Sequence, residues 1–389
     1  MPRQCPYDPP NRLSELRTES PITQVRSWDG STPWLITAHE YARVALGSPA
    51  LSSDPRNPGF PSVSPADVIE AGEPRPGVLL IMDGAEHAQL RRTLIGEFTV
   101  RRIEALRPRV EQIVHDLLDA MADGPKPADL VEALALPLPS LVICELLGVP
   151  YADHEFFQQH SHAVLNTRST QEQAGRALGE LVAYLNDLVA AKQKTPGADL
   201  LSRLIETSGL APREIAGVGV LLLVAGHETT ANQIALGVLT LLRHPGQADE
   251  LRATDDPAAI KATVEELLRL LTITQAGARR VAVRDVRIGD VLIRAGEGVI
   301  VATHAANRDP AAFDHPDDYD PHRGSKGHLT FGFGPHQCLG QPLARLELQV
   351  VHPALVRRFP TMTLAVDPAE LSYRDNMPMY GVNELPVTW

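Results

Sequence analysis

Four short stretches of this sequence carry side chains whose types and spacing suit chemistry. They are His87-Ala88-Gln89-Leu90-Arg91, Ala225-Gly226-His227-Glu228-Thr229-Thr230, Glu266-Leu267-Leu268-Arg269, and FGFGPHQCLG at residues 331–340. The last is the most unusual, because it sets one thiol, Cys338, among glycines and aromatics. A structural zinc site needs about four ligands, commonly in close pairs. His336 and Cys338 supply at most one pair, and Cys5 and Cys144 lie far away. A cysteine nucleophile needs a basic partner and an oxyanion hole, and no second half of such a site is recognisable. A buried core cysteine fits an apolar run such as that of Cys144 in LVICELL, and fits this stretch badly.

The fourth reading is a thiolate ligand to haem iron. Cys338 stands before LGQPLARLELQVVHPALVRRF, whose apolar residues recur at helical spacing. A thiolate near a helix N-terminus is stabilised by the dipole and by free backbone N–H groups. Gly334 and Gly340 would let the backbone approach a flat ring and turn beside it. Pro342 is tolerated in a first turn, where its missing N–H costs nothing. This reading gives each odd feature a purpose.

The elements that must position these residues are mostly helical. Helical patterns dominate from about 84 to 245, including one helix over 101–122 and a very long one over 212–242, roughly 45 Å at 1.5 Å per residue. The helical ATVEELLRLL is followed by VAVRDVRIGDVLIRAGEGVIVA, whose alternation and turns predict a small sheet. Near the start, ITQVRSW and PWLIT flank Asp29-Gly30, a hairpin signal. A short helix is expected at 39–47, an irregular loop at 49–80, a helix after Cys338, and strand-like pieces near Met379 and Leu385. The fold class is therefore mainly α with small β-sheets, as a single domain over 1–389.

Composition narrows the function. At 43% hydrophobic and 22% charged the chain is globular, and a net charge of -12 argues against general nucleic-acid binding. Three widely spaced cysteines make a disulfide framework unexpected and fit a reducing cytoplasm. The N-terminus shows no signal pattern, and the apolar run from Ile215 stops at His227 and Glu228, short of the about 20 residues a span requires. A cytoplasmic protein with no membrane partner is expected.

FGFGPHQCLG resembles the haem-binding loop of the cytochrome P450 superfamily, F-x-x-G-x-x-x-C-x-G, with Phe331, Gly334, Cys338 and Gly340 in register. The other marks of the family follow in order, and the resemblance is nearest to its soluble actinobacterial branch, which oxidises macrolides, polyenes, steroids and drug-like compounds. It implies the cytochrome P450 fold and haem b held by Cys338. It implies that Glu266 and Arg269, with Arg323 from a later loop, form a structural trio. A lone E-x-x-R is otherwise a solvated ion pair. It places Ala225 over the distal haem face, with Thr229 hydrogen-bonding iron-bound dioxygen and Glu228 relaying protons through water. Otherwise the acid and hydroxyl mark where the helix surfaces. It gives His87, Arg91, Arg280 and His336 to the haem propionates, with Arg279 an alternative to Arg280. Where relatives often carry two prolines, this chain reads Asp83-Gly84-Ala85-Glu86-His87.

The resemblance implies a monooxygenase that hydroxylates a hydrophobic small molecule with O2, fed by a ferredoxin and its NAD(P)H reductase. The arginine-rich stretch at 91–109 suits an acidic redox partner, although an ordinary solvated face accounts for it equally well. Expected pocket walls are the loop Pro74 to Met82, Leu221, Val224 and Ala225, Thr272 to Gln275 with Ile273 and Thr274, and Met377 to Met379. Loops near 49–80 and 150–175 are expected to open and close over them. Two other readings stand beside this one. One is a haem protein without oxygen activation, which would alter the Glu228–Thr229 pair. The other is a colourless hydrolase with Cys338 as nucleophile.

Overall fold

In the computed structural model, which describes Arg3 and residues 8–62 and 76–389, the helical and the alternating patterns separate in space. The first part of the chain gives α1 (Asn11–Glu19), β1 (Ile22–Gln24), β2 (Trp34–Ile36), α2 (His39–Gly47) and β3 (Leu51–Ser52). Helices then follow almost without interruption: α3 (Gly84–Ile95), α4 (Val100–Glu104), α5 (Arg107–Asp123), and, after β4 (Ala128–Asp129), α6 (Pro137–Leu147), α7 (His154–Leu165) and α8 (Gln171–Lys194). The short α9 (Leu200–Thr207) leads into α10 (Pro212–Arg243), α11 (Pro245–Ala253) and α12 (Pro257–Leu271). The second half holds β5 (Ala278–Ala282), β6 (Val286–Ile288), β7 (Val291–Ile293), β8 (Gly298–Val301), α13 (Thr303–Ala306), α14 (Gln341–Arg358), β9 (Thr363–Leu364) and β10 (Pro386–Thr388).

One large apolar core joins α3 to α10 with α12, α14 and the C-terminal segment. A second, smaller core lies between α2 and the sheet. That sheet runs β1-β2-β8-β5-β3, with β2 and β8 parallel and the other pairs antiparallel. The expected hairpin is present: β1 pairs β2, and Gly30 takes φ +85° in the turn. No helix among the described residues is long and apolar enough to cross a membrane.

α10 is long because its ends are well made and its middle is apolar. Pro212 opens it, and Glu214 accepts a hydrogen bond from the Ala211 amide at 2.7 Å, satisfying one donor of the first turn. Its sequence is buried almost all round, as a helix through the centre of a large core must be.

Two expectations are corrected. The helix expected over 101–122 is two, α4 and α5, separated at Ala105–Leu106. Pro108 has no N–H to donate to the carbonyl of Glu104, so one continuous ladder is not available. The stretch 150–175 is not a loop: it holds α7, whose Phe157 and Ser161 are buried one turn apart, and the start of α8. Only 166–170 connects them. In the expected loop at 49–80, β3 and a helical turn at Leu79–Ile81 are ordered elements. Pro74, the expected start of a pocket wall, falls outside the described residues.

Candidate active site

The loop 331–340 is closed by the Cys338 amide donating to the Phe331 carbonyl at 2.8 Å. Gly334 sits at φ +74°, and a Cβ there would come within 2.8 Å of the Leu46 carbonyl. The approach of α2 by itself requires a glycine here. Gly340 is different: a Cβ would meet only the Cys338 sulfur, at 4.0 Å, so the backbone beside the thiol is open. Cys338 itself keeps accessible surface beside this open backbone. Burial pushes the thiol up, while the Gly340 and Gln341 amides and the Arg91 and Arg345 guanidiniums act in the opposite direction. The donor set points at one soft, electron-rich sulfur at the start of α14, suited to a metal that removes the thiol proton outright.

A cluster of basic groups lies beside this loop. The His87 and His336 rings are 4.2 Å apart, and Arg91 donates to the Gln337 carbonyl at 2.5 Å. Arg280 is buried and its guanidinium is pushed down to about 10 by desolvation, with only Asp83 acting against it. Burial, then the charges of His336 and Arg91, bring His87 down to about 4. The buried Nε2 of His87 has no hydrogen-bond partner among the described residues. An anion at this point would answer both the positive field and the orphaned nitrogen, which fits haem propionates. Arg279, the alternative to Arg280, is on the opposite side of β5 and donates to the Pro61 carbonyl at 3.4 Å.

Asp83 was not among the expected residues. Its carboxylate accepts from the Ser53 amide at 3.0 Å, from the Ser52 hydroxyl, and from His336 Nε2 at 3.1 Å. Burial would raise it, but these partners hold it at about 2. The signal was its place before Gly84 at the start of α3.

On α10, Leu221, Val224, Ala225 and Thr229 keep accessible surface although they lie mid-helix, three and four residues apart on one face. The Thr229 hydroxyl donates to the Ala225 carbonyl at 2.7 Å, leaving its oxygen lone pairs toward that face. Glu228 does not join it. The Glu228 carboxylate is buried and accepts from Arg374 Nη1 at 2.7 Å. The acid and the alcohol expected to act together thus point to different neighbours. No sequence spacing marked Arg374, which is 146 residues away.

The expected trio is assembled. Glu266 and Arg269 are fully buried, and Arg323 Nε donates to Glu266 Oε1 at 3.2 Å. The Ser325 hydroxyl and the Asp320 amide, at 3.0 Å, complete the carboxylate. Arg269 Nη1 reaches the carbonyls of Asn307, at 2.8 Å, and Pro316, at 2.7 Å. The trio therefore organises the chain leading to the cysteine loop.

Among the expected pocket walls, Thr274 pairs with Met379 in a β-bridge and meets the Thr303 hydroxyl at 3.0 Å. Met377, at 2% exposure, is corrected from a wall to a core residue, and Ile273 and Met379 are buried too. Methionine fills irregular core gaps readily, and Gln275 anchors this turn through the Met377 carbonyl at 2.5 Å.

The family model "Cytochrome P450" matches residues 24–256 and 258–384, and the chain belongs to that family. It is 48% identical to cytochrome P450-SU2 of Streptomyces griseolus, over 99% of this chain and 94% of that one. It is 47% identical to the vitamin D3 dihydroxylase of the same species, over 100% of this chain and 94% of the relative. Among solved structures, the mycinamicin VIII C21 methyl hydroxylase of Micromonospora griseorubida, bound to mycinamicin VIII, superposes with a TM-score of 0.92 at 42% identity, covering 100% and 99% of the two chains. The protein is a P450 monooxygenase of the actinobacterial branch, and the family implies haem-thiolate iron as its cofactor.

Proposed function

We propose that this monooxygenase hydroxylates a hydrophobic small molecule of polyketide, steroid-like or xenobiotic type, with electrons from a ferredoxin and its NAD(P)H reductase. The observation that carries the site assignment is the Cys338 thiol. It keeps accessible surface just before α14, beside open backbone at Gly340 and a basic cluster. Cys338 would ligate the haem iron, and His87, Arg91, Arg280 and His336 would hold the propionates. Phe331 packs against the main core and lies 4.5 Å below the Arg345 guanidinium, which fixes the loop from outside.

When bound, haem would supply the oxygen-activating chemistry, which a thiolate ligand favours. The chain supplies the rest. Thr229 offers a hydroxyl oxygen on the accessible face of α10, and Glu228, whose carboxylate faces Arg374 and not Thr229, would reach it through water. Delivery of protons from a positioned acid through a hydroxyl is general acid catalysis, with a usual worth of about 10²–10⁴ in rate. Leu221, Val224 and Ala225 present apolar surface, which suits a hydrophobic substrate. The names of the relatives, vitamin D3 and mycinamicin VIII among them, support that class. For the redox partner, the exposed Val100 beside Arg101 and Arg102 on α4 gives an apolar patch with cationic neighbours.

The test is the spectrum of the reduced, carbon-monoxide-bound protein. A red-shifted Soret band that disappears in Cys338→Ala is expected. Absence of the band in the wild type, or its survival in the variant, would refute ligation by the Cys338 thiolate. Spin-state shifts across a library of apolar compounds would then identify the substrate.

A further inference from the structure

The C-terminal turn from Arg374 to Met379 touches three separate parts of the site. At one end it grips the connection between α7 and α8. The Thr167 amide and hydroxyl both donate to the Asn376 carbonyl at 2.9 Å, and Asn376 Nδ2 donates to Asn166 Oδ1 at 3.1 Å. An exposed pair, Arg168 to Asp375 at 2.9 Å, adds little by itself. In its middle the turn is fastened by Gln275, whose side chain donates to the Arg374 and Met377 carbonyls and whose amide donates to Pro378. At the other end is the buried ion pair of Arg374 with Glu228 on α10. Arg374 is itself positioned by bonds from its Nε to Val382 and from its amide to Gly381. The apposition to α10 is close: a Cβ on Gly381 would lie 1.8 Å from Asn232 Oδ1.

We propose that Arg374 is a positioning residue for the reaction, and that the turn Arg374–Met379 couples closure of the α7–α8 connection to the placement of the Glu228 carboxylate. The inference rests on the reading of Glu228 as the proton-relaying acid. A buried carboxylate will not leave a guanidinium without another partner, so its position follows wherever the turn is held. The turn is held in place at Thr167 and Asn166. Opening that connection loosens the acid, and loss of the ion pair loosens the connection by the same factor, since coupling is reciprocal. Protons are then delivered only from a site that has closed.

Hydrogen–deuterium exchange on the haem-loaded protein tests this from both ends. Arg374→Gln and Glu228→Gln should each speed exchange at the Thr167 amide by about fivefold or more, the double variant should add nothing further, and Arg374→Lys should restore much of the protection. Dissociation of 4-phenylimidazole, followed by its Soret shift, should accelerate in parallel. From the other end, Thr167→Val combined with Asn376→Ala should speed exchange at the Arg374 and Tyr380 amides. This second variant decides the matter if Arg374→Gln does not fold. Unchanged exchange at the far end in either direction, in variants that keep the carbon-monoxide band, would overturn the coupling. Loss of that band in the wild type would instead overturn the haem-thiolate reading, so the two failures are distinct.

Discussion

The Arg269 guanidinium donates through Nε and Nη2 to both oxygens of the Glu266 carboxylate, each at 2.8 Å, with both side chains wholly removed from solvent. Such a pair is costly to desolvate and far costlier to break, because the survivor is a buried, unmatched charge. Arg269→Ala should therefore lose about 3–5 kcal/mol of stability. The measurement is the thermal midpoint together with haem content per chain, and both should fall. A variant with a wild-type midpoint would show that the trio does not hold the cysteine loop.

A second ion network titrates. Burial alone would raise Glu265, but hydrogen bonds from His328 and Arg345 override it and set the carboxyl at about 2, against an ordinary 4.5. The folded value lies below the unfolded one, so the network's contribution is complete above about pH 4.5 and is lost as pH falls toward 2. Its size is on the order of 2–3 kcal/mol. Glu265→Gln should be less stable than the wild type at pH 7, and the gap should narrow steadily toward pH 3. A gap independent of pH would contradict the assignment.

Thr229 is expected to matter for oxygen chemistry and not for haem binding. Thr229→Ala should keep the reduced carbon-monoxide band while product per electron falls roughly tenfold or more and peroxide release rises. The assay is product and peroxide counted against NAD(P)H consumed. Full coupling in the variant would remove Thr229 from the proposed relay.

Charge on α4 should govern the partner. Arg102 is engaged by Glu97 at 2.8 Å, and Glu97 also accepts from Arg203, so reversing Arg101 is the cleaner change. Arg101→Glu should slow ferredoxin-supported turnover by roughly tenfold at low salt, less at high salt, and spare peroxide-driven turnover. Equal loss in both assays would dismiss electrostatic steering.

Gly217 lies where α10 meets the chain entering the Leu79–Ile81 turn: a Cβ would fall 1.8 Å from the Pro76 carbonyl oxygen. Gly217→Ala should cost about 1–3 kcal/mol through overpacking. Differential scanning calorimetry would register it, and an unchanged midpoint would mean that this segment yields freely.

Much of this was legible locally. The cysteine loop, the E-x-x-R pair and the H-x-x-x-R pair each lie within one turn or helix, where spacing alone dictates which side chains share a face. The same locality made α10 and α14 readable, down to Pro342 in the first turn of α14. The break at Ala105–Leu106 is not legible in the sequence, because apolar periodicity continues across it while a single missing N–H does not show in a pattern.

What the sequence by itself determined is the family and the helices that carry its motifs, because those depend on short-range spacing. What only the tertiary structure decided is which charges meet. Asp83 reaches His336 and Arg374 reaches Glu228 across 253 and 146 residues, and Gly334 answers to the backbone of α2. Those pairings follow from chain segments converging in three dimensions, and nothing in the local sequence encodes the distance between them.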